Sequence, residues 1–154
     1  MNITNIADLC ININIKLLEG MKLYQLDNII KLYIGLDWIK YVHFLEETYN
    51  KVKIYEDDLI EIILICWNEN QESYIHDHPS NGCLLKILDG KLLEENYINL
   101  KLDNTIKKIN EIEMNINNIF YKEGSDILHR IKNYKNKSIS LHIYSPPKYK
   151  SNIY

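Results

Sequence analysis

The sequence predicts a mainly β fold: an N-terminal helical segment set against a jelly-roll-like β-barrel. Three observations predict it. Apolar residues recur at helical spacing through roughly the first fifty positions. From Tyr49 onward they alternate with polar residues or run in short β-branched blocks. Turn residues such as Asp89-Gly90 separate those blocks closely, so many short strands follow a few helices, the order of a helical cap on a barrel or sandwich. One domain is expected over residues 1–154, with helices in 1–48, the barrel in 49–147 and a short tail in 148–154.

Thr4 is the expected N-cap of the first helix. Ile6, Leu9, Cys10, Ile13 and Leu17 form its apolar stripe, and Gly20 is its stop. The alternation of Ile11, Ile13 and Ile15 competes for a strand. A second helix is expected over 26–33, with Ile29, Ile30 and Tyr33 on one face. A third is expected over 36–47, carrying Trp38, Tyr41, Val42 and Leu45. His43 on that helix reads as a surface or satisfied core residue. Val52 and Ile54 then alternate with Lys51, Lys53 and Tyr55. The stretch 59–67 is nearly continuous and β-branched, as in a strand buried on both faces, and Glu61 within it needs an edge or a partner. Strands over 83–88 and 91–97 flank Asp89-Gly90, a hairpin signal. Further strands are expected near 106–112, 116–121, 127–131 and 138–144. Ser145-Pro146-Pro147 ends the last, because proline cannot donate to a ladder.

A formal net charge of -3 without a Lys/Arg block gives no electrostatic footprint for nucleic acid. Three cysteines, Cys10, Cys66 and Cys83, make neither a disulfide framework nor a CxxC pair, which suits a reducing compartment. No basic start leads into an apolar signal run, and no stretch reaches the ~20 apolar residues of a membrane span. A cytoplasmic monomer without a membrane or nucleic-acid partner is expected.

In an extended backbone, residues two apart share a face. His76 and His78 therefore present two imidazoles together, with Asp77 turned outward. His129, within Leu128-His129-Arg130, supplies a third. Imidazole suits Zn, Cu, Ni and Fe alike, so the ligand type does not name the metal. A tetrahedral zinc hydrolase fits the three histidines, but no carboxylate stands in a general-base position near the histidine motif. On the last strand Ser140, His142 and Tyr144 also share a face, and a hydroxyl, an imidazole and a phenol in series form a hydrogen-bond relay.

His76-x-His78, four residues, Cys83, six residues, Gly90 resembles the first motif of the cupin superfamily, and His129, three residues, Asn133 resembles the second. Cupins usually carry a glutamate at the Cys83 position. Its loss favours a substrate that brings its own anionic ligand, such as a thiolate. Cys66-Trp67, Ser73-x-Ile75-His76-Asp77-His78, Cys83-Leu84-Leu85-Lys86 and Ser140-Leu141-His142-Ile143-Tyr144-Ser145-Pro146-Pro147, in that order, resemble cysteine dioxygenase. The resemblance implies one Fe(2+) per chain, held by His76, His78 and His129, and addition of both atoms of O2 to the thiol of L-cysteine. It implies Tyr144 as the active-site phenol, Cys83 as its partner in a thioether crosslink, and Ser140 and His142 as the relay behind it. Two departures stand out. Where family members carry an arginine two residues after a tyrosine, this chain has Tyr49-Asn50-Lys51, so Lys51 takes the carboxylate-binding place, with Lys53 as the fallback. The chain also stops seven residues after Pro147, where relatives continue with further strand, which is expected to loosen the barrel wall. Other small thiols (3-mercaptopropionate, cysteamine) and a cupin module without turnover are the alternatives.

Overall fold

The computed structural model describes residues 1–103 and 105–154. Helix α1 spans Ile6–Leu18 and buries Ile6, Leu9, Cys10 and Ile13. Its cap is Asn5, one residue after the expected Thr4: Asn5 Oδ1 accepts the Asp8 N–H at 2.8 Å. Gly20 ends the turn with φ +92°, the left-handed region that glycine adopts without a Cβ clash. A 3-10 turn over Leu23–Leu26 runs into α2, Asp27–Leu32, which matches the second expected helix.

The third expected helix is only a 3-10 turn, Asp37–Tyr41, anchored by buried Trp38. Beyond Val42 the backbone carbonyls bond to side chains instead of helix N–H groups. His43 O accepts from Asn50 Nδ2 (2.8 Å), and Leu45 O accepts from Asn68 Nδ2 and Gln71 Nε2 (2.8 and 2.9 Å). Those distant side chains outcompete the local periodicity, and His43 is exposed.

Among the described residues eight strands follow: β1 Asn50–Glu56, β2 Glu61–Trp67, β3 Cys83–Asp89, β4 Lys91–Leu100, β5 Thr105–Asn115, β6 Ile119–Lys122, β7 Ile127–Lys132 and β8 Ser138–Tyr144. They form two antiparallel sheets, ordered β1-β2-β8-β3-β6 and β5-β4-β7. This is a mainly β, jelly-roll arrangement with the helices against the five-stranded sheet. The outer faces of β2 and β8 (Ile62, Leu64, Cys66, Ile139, Leu141, Ile143) pack on the helices. Inward residues Ile65, Trp67, Leu85 and Ile87 pack toward Leu92, Met114 and Ile131 of the smaller sheet. β2 is thus buried on both faces, as its composition requires.

The Asp89-Gly90 hairpin does not form. β3 and β4 belong to different sheets, so Gly90 is the corner between them. Its φ is +73°, and a Cβ there would run into Ser138 and the Lys137 carbonyl. Ser138 Oγ fixes the corner, accepting from Lys91 N and donating to Lys91 O, both at 3.1 Å. A turn dipeptide specifies a change of direction and leaves open which strand pairs afterwards. No helix among the described residues is long and apolar enough to cross a membrane. Cys10, Cys66 and Cys83 are buried and unpaired.

Candidate metal centre and adjoining cavity

Ser73–His78 is extended although outside the named strands. It lies along the free edge of β7: Ser73 N–H donates to Ile131 O at 2.9 Å, and His76 and His129 exchange backbone hydrogen bonds at 3.0 and 3.3 Å. This places His129 beside His76, while the pleat puts His78 on the same side. One ring nitrogen from each of the three lies within 4.8 Å of the others. His78 Nε2 is 3.0 Å and His76 Nε2 is 3.2 Å from His129 Nε2.

The tautomers say what belongs between these rings. His76 Nδ1 faces the Tyr74 carbonyl at 2.8 Å, and His129 Nδ1 faces Glu94 Oε1 at 2.7 Å. Both Nδ1 atoms must carry the proton, because carbonyls and carboxylates only accept. The two Nε2 atoms therefore point lone pairs at each other across 3.2 Å, which is repulsive without a cation between them. Burial pushes His76, His78 and His129 below the usual imidazole range, and their mutual proximity adds to the effect on the last two. Neutral imidazoles with converging lone pairs are the donor set of a divalent metal, so the residues present fit one.

Glu94 was not anticipated from the sequence. It is wholly buried on β4, its Oε1 also lies 3.2 Å from Lys122 Nζ, and its Oε2 accepts from Asn96 at 3.1 Å. A carboxylate therefore stands beside the histidine cluster, but behind His129, on its Nδ1 side, and not in a general-base position. The signal was available: Leu92, Glu94 and Asn96 share the inward parity of β4. Buried carboxylates need partners, and an inward histidine is a natural one.

Beside the three imidazoles lies a cavity of about 250 Å³. His76, His142 and Tyr144 line it together with Tyr49, Lys51 and Trp67. Tyr49 stacks on Trp67 with centroids 4.6 Å apart, and Lys51 Nζ lies 5.7 Å from the Tyr49 ring centre. Lys51 is accessible through the cavity, yet the surrounding walls desolvate its ammonium and lower its pKa. Lys53 does not line the cavity; it pairs with Glu56 and Glu61.

The Ser140, His142 and Tyr144 side chains do form a series. Trp67 Nε1 donates to Ser140 Oγ at 2.9 Å, and Ser140 Oγ lies 2.8 Å from His142 Nε2. Donation by the Ser140 hydroxyl to Nε2 leaves the His142 Nδ1 proton directed at Tyr144 O (3.5 Å) and Cys83 Sγ (3.9 Å). Cys83 and Tyr144 are direct partners on β3 and β8, and both are buried. Burial pushes the Cys83 thiol up to about 12 and holds the Tyr144 phenol well above its usual value.

Asp77 turns away from the imidazoles but not to solvent, being only 1% exposed. Its carboxylate accepts from Asn152 N and Nδ2 (2.8 and 2.7 Å), Tyr149 OH (3.0 Å) and Tyr154 OH (3.3 Å). Tyr154 N–H also bonds to Ile75 O at 3.0 Å. The tail over 149–154 thus runs along the histidine segment, and Tyr149, Ser151 and Ile153 line the cavity.

Comparison with known proteins follows the same lines. A family model described as cysteine dioxygenase type I matches residues 12–154. The cysteine dioxygenase type 1 of Danio rerio is 29% identical over 136 residues, covering 84% of this chain and 68% of that protein. The Rattus norvegicus protein of that name is 33% identical over 116 residues, covering 72% and 58%. The chain thus spans between about three-fifths and two-thirds of the length of these relatives. Among solved structures, a Thermus thermophilus protein superposes with a TM-score of 0.59 at 13% identity, covering 71% of this chain and 94% of its own. A cupin superfamily protein of Desulfitobacterium hafniense gives 0.56 at 14% identity, covering 72% and 89%. At these identities the structural likeness speaks to the cupin fold alone.

Proposed function

This chain belongs to the cysteine dioxygenase type I family, and from that premise we propose that it is an iron-dependent dioxygenase converting L-cysteine to cysteine sulfinic acid in a reducing cytoplasm. The observation that carries the reading is the pair of Nε2 lone pairs facing each other across 3.2 Å beside a cavity that also holds Lys51 and Tyr144. His76, His78 and His129 would hold Fe(2+). When bound there, the ion supplies coordination positions for thiolate and dioxygen and the one-electron chemistry that lets them combine.

The chain's own residues bind, orient and protonate. Lys51 offers its ammonium to the substrate carboxylate as a compact point charge on a flexible stem, a looser grip than a guanidinium fork. Tyr144 stays protonated at neutral pH, so it acts as a hydrogen-bond donor into the cavity. The His142 Nδ1 proton, directed at the phenol oxygen, reinforces that direction. Apolar Ile63, Ile65 and Trp67 exclude water from the reacting sulfur. In the reaction both oxygen atoms join sulfur, the thiol hydrogen leaves as a proton, and sulfur supplies every electron that dioxygen accepts. The sulfinate lies beyond the easily reversed rung of thiol oxidation.

The adjacency of Cys83 and Tyr144 supports a thioether crosslink formed during turnover, with O2 taking the two hydrogens lost. Intact mass before and after turnover reads that loss directly. The decisive experiment for the activity is metal analysis of the purified protein coupled to sulfinate detection by mass spectrometry and oxygen uptake with L-cysteine. Iron-loaded protein that consumes no oxygen with cysteine, 3-mercaptopropionate or cysteamine refutes the reading and leaves a metal-binding module.

A further inference from the structure

The three imidazoles are not backed alike. His76 Nδ1 meets a neutral carbonyl, and His78 Nδ1 meets no partner among the described residues. Of the three, His129 alone has its outer nitrogen hydrogen-bonded to a charged side chain, Glu94. An electrostatic influence on the donor strength of the set therefore enters at His129.

Glu94 does not act there alone. On β6 the pleat sends Ile119 and Tyr121 toward the helices and Phe120 toward the residues between the sheets, so Lys122 shares the inward face with Phe120. A lysine aimed into a jelly roll needs an anion to meet. Lys122 Nζ lies 3.2 Å from Glu94 Oε1, its one ion-pair partner among the described residues. The contact crosses from the five-stranded sheet to the three-stranded one, with the lysine side chain 16% exposed and the glutamate 0%. Salt screens a pair held this deep far less than one at the surface. The same Oε1 faces the His129 Nδ1 proton at 2.7 Å. One oxygen thus serves a cation and an imidazole at once, and density drawn toward Lys122 is withheld from His129. The Lys122 charge is also felt at the ring: after burial and the neighbouring His76, it helps to hold His129 below the usual imidazole range.

We propose that Lys122 is a positioning residue for charge: acting through Glu94, it tempers His129 as a donor and biases bound iron toward the ferrous state. The inference rests on the iron-dioxygenase reading above and adds a control of oxidation state to it. An imidazole whose N–H leans on an unshared carboxylate gains anionic character and favours the more highly charged ion. An ammonium that shares the carboxylate opposes this, and its own charge works in the same direction. Ferrous iron is the state that reacts with dioxygen, so a centre biased in this way rests ready for turnover.

The test is the ferric/ferrous midpoint potential of iron-loaded protein under nitrogen without thiol, read beside zinc affinity in a chelator competition. Lys122→Gln keeps a donor for Glu94 Oε1 and removes the charge. It should tighten zinc by about tenfold, the lower end of what the outer partner of a ligating histidine is worth, because Lys122 stands one group further out. It should also lower the midpoint potential by ~59 mV, the equivalent of a tenfold gain for ferric over ferrous iron. Lys122→Met, which fills the same space without charge, should give the same two shifts should the glutamine variant fold poorly. Lys122→Arg keeps the charge and should stay near the parent in both. In a Glu94→Gln background the effect of Lys122→Gln should shrink, since the shared oxygen no longer carries it. Weaker zinc binding with an unchanged or raised potential overturns the proposal, because Lys122 would then only hold Glu94 in place. So does an effect of equal size in both backgrounds, which would bypass Glu94. No oxygen is consumed in these measurements, so protein that binds iron yet makes no sulfinate refutes the dioxygenase reading and leaves the shifts to be judged separately.

Discussion

Removing the Glu94 carboxylate tests how far the candidate metal centre depends on what lies behind it. The Glu94–His129 hydrogen bond is 2.7 Å long between two almost fully buried groups, and Lys122 Nζ lies 3.2 Å from the same Glu94 oxygen. A charge-assisted hydrogen bond of this kind is worth about 1.5–3 kcal/mol. Loss of the outer partner of a ligating histidine usually costs about 10–100-fold in metal affinity, which converts to about 1.4–2.7 kcal/mol, the same range. Glu94→Ala should therefore weaken zinc or ferrous binding by one to two orders of magnitude in a chelator competition. Glu94→Gln keeps an acceptor oxygen and should fall between. Nitrogen-15 spectra of the metal-free protein give a second readout: the parent should show His129 protonated at Nδ1, and the alanine variant a mixture. Unchanged metal affinity together with an unchanged tautomer would refute the argument, because it assigns the lone-pair direction of His129 to this contact.

Four further outcomes follow from the geometry. Lys51→Ala should raise the KM for cysteine by about tenfold, one charge-assisted contact, with little change for cysteamine; an unchanged cysteine KM removes Lys51 from the carboxylate site. Burial lowers the His142 pKa to about 3. The unfolded chain takes up its proton near the ordinary imidazole pKa of ~6.5, so the stability from burying neutral His142 is fully present above that pH. It is lost as pH falls through the window toward 3, at about 1.4 kcal/mol per unit. His142→Gln should flatten the Tm profile in that window, and parallel profiles would count against it. Asp77→Ala should free residues 149–154, seen as faster C-terminal proteolysis and about 2 kcal/mol of lost stability in urea unfolding; an equally protected tail contradicts the bonding described. Gly90→Ala forces a Cβ into the left-handed region and against Ser138. At least about 1–2 kcal/mol should be lost, and a neutral result would mean the corner relaxes freely.

Parity made much of this site legible before any coordinates. His76 with His78, and Ser140 with His142 and Tyr144, are brought onto common faces because an extended chain has a period of two, a property of the backbone alone. The burial of β2 on both sides was likewise written in its β-branched run. Contacts made across large sequence separations were less visible. The third helix gave way because Asn50, Asn68 and Gln71 claim its carbonyls, and nothing local announces that. Asp89-Gly90 looked like a hairpin because turn chemistry is local, whereas sheet membership depends on β7 and β8, which come much later. Glu94 went unread because an inward carboxylate has meaning only once its partner is known. The tail was harder still, since its hold on Asp77 joins residues more than seventy positions apart.

The alternation that aims two imidazoles inward also fixes the purpose of the residue between them. His76 and His78 cannot be respaced without tugging on Asp77, and Asp77 cannot shift without slackening its grip on Asn152. The spacing of the two imidazoles and the fastening of the cavity's outer wall are therefore one mechanical unit. Any pull on the final residues, from a fused tag or a neighbouring molecule, would reach the imidazoles through a single peptide plane on either side.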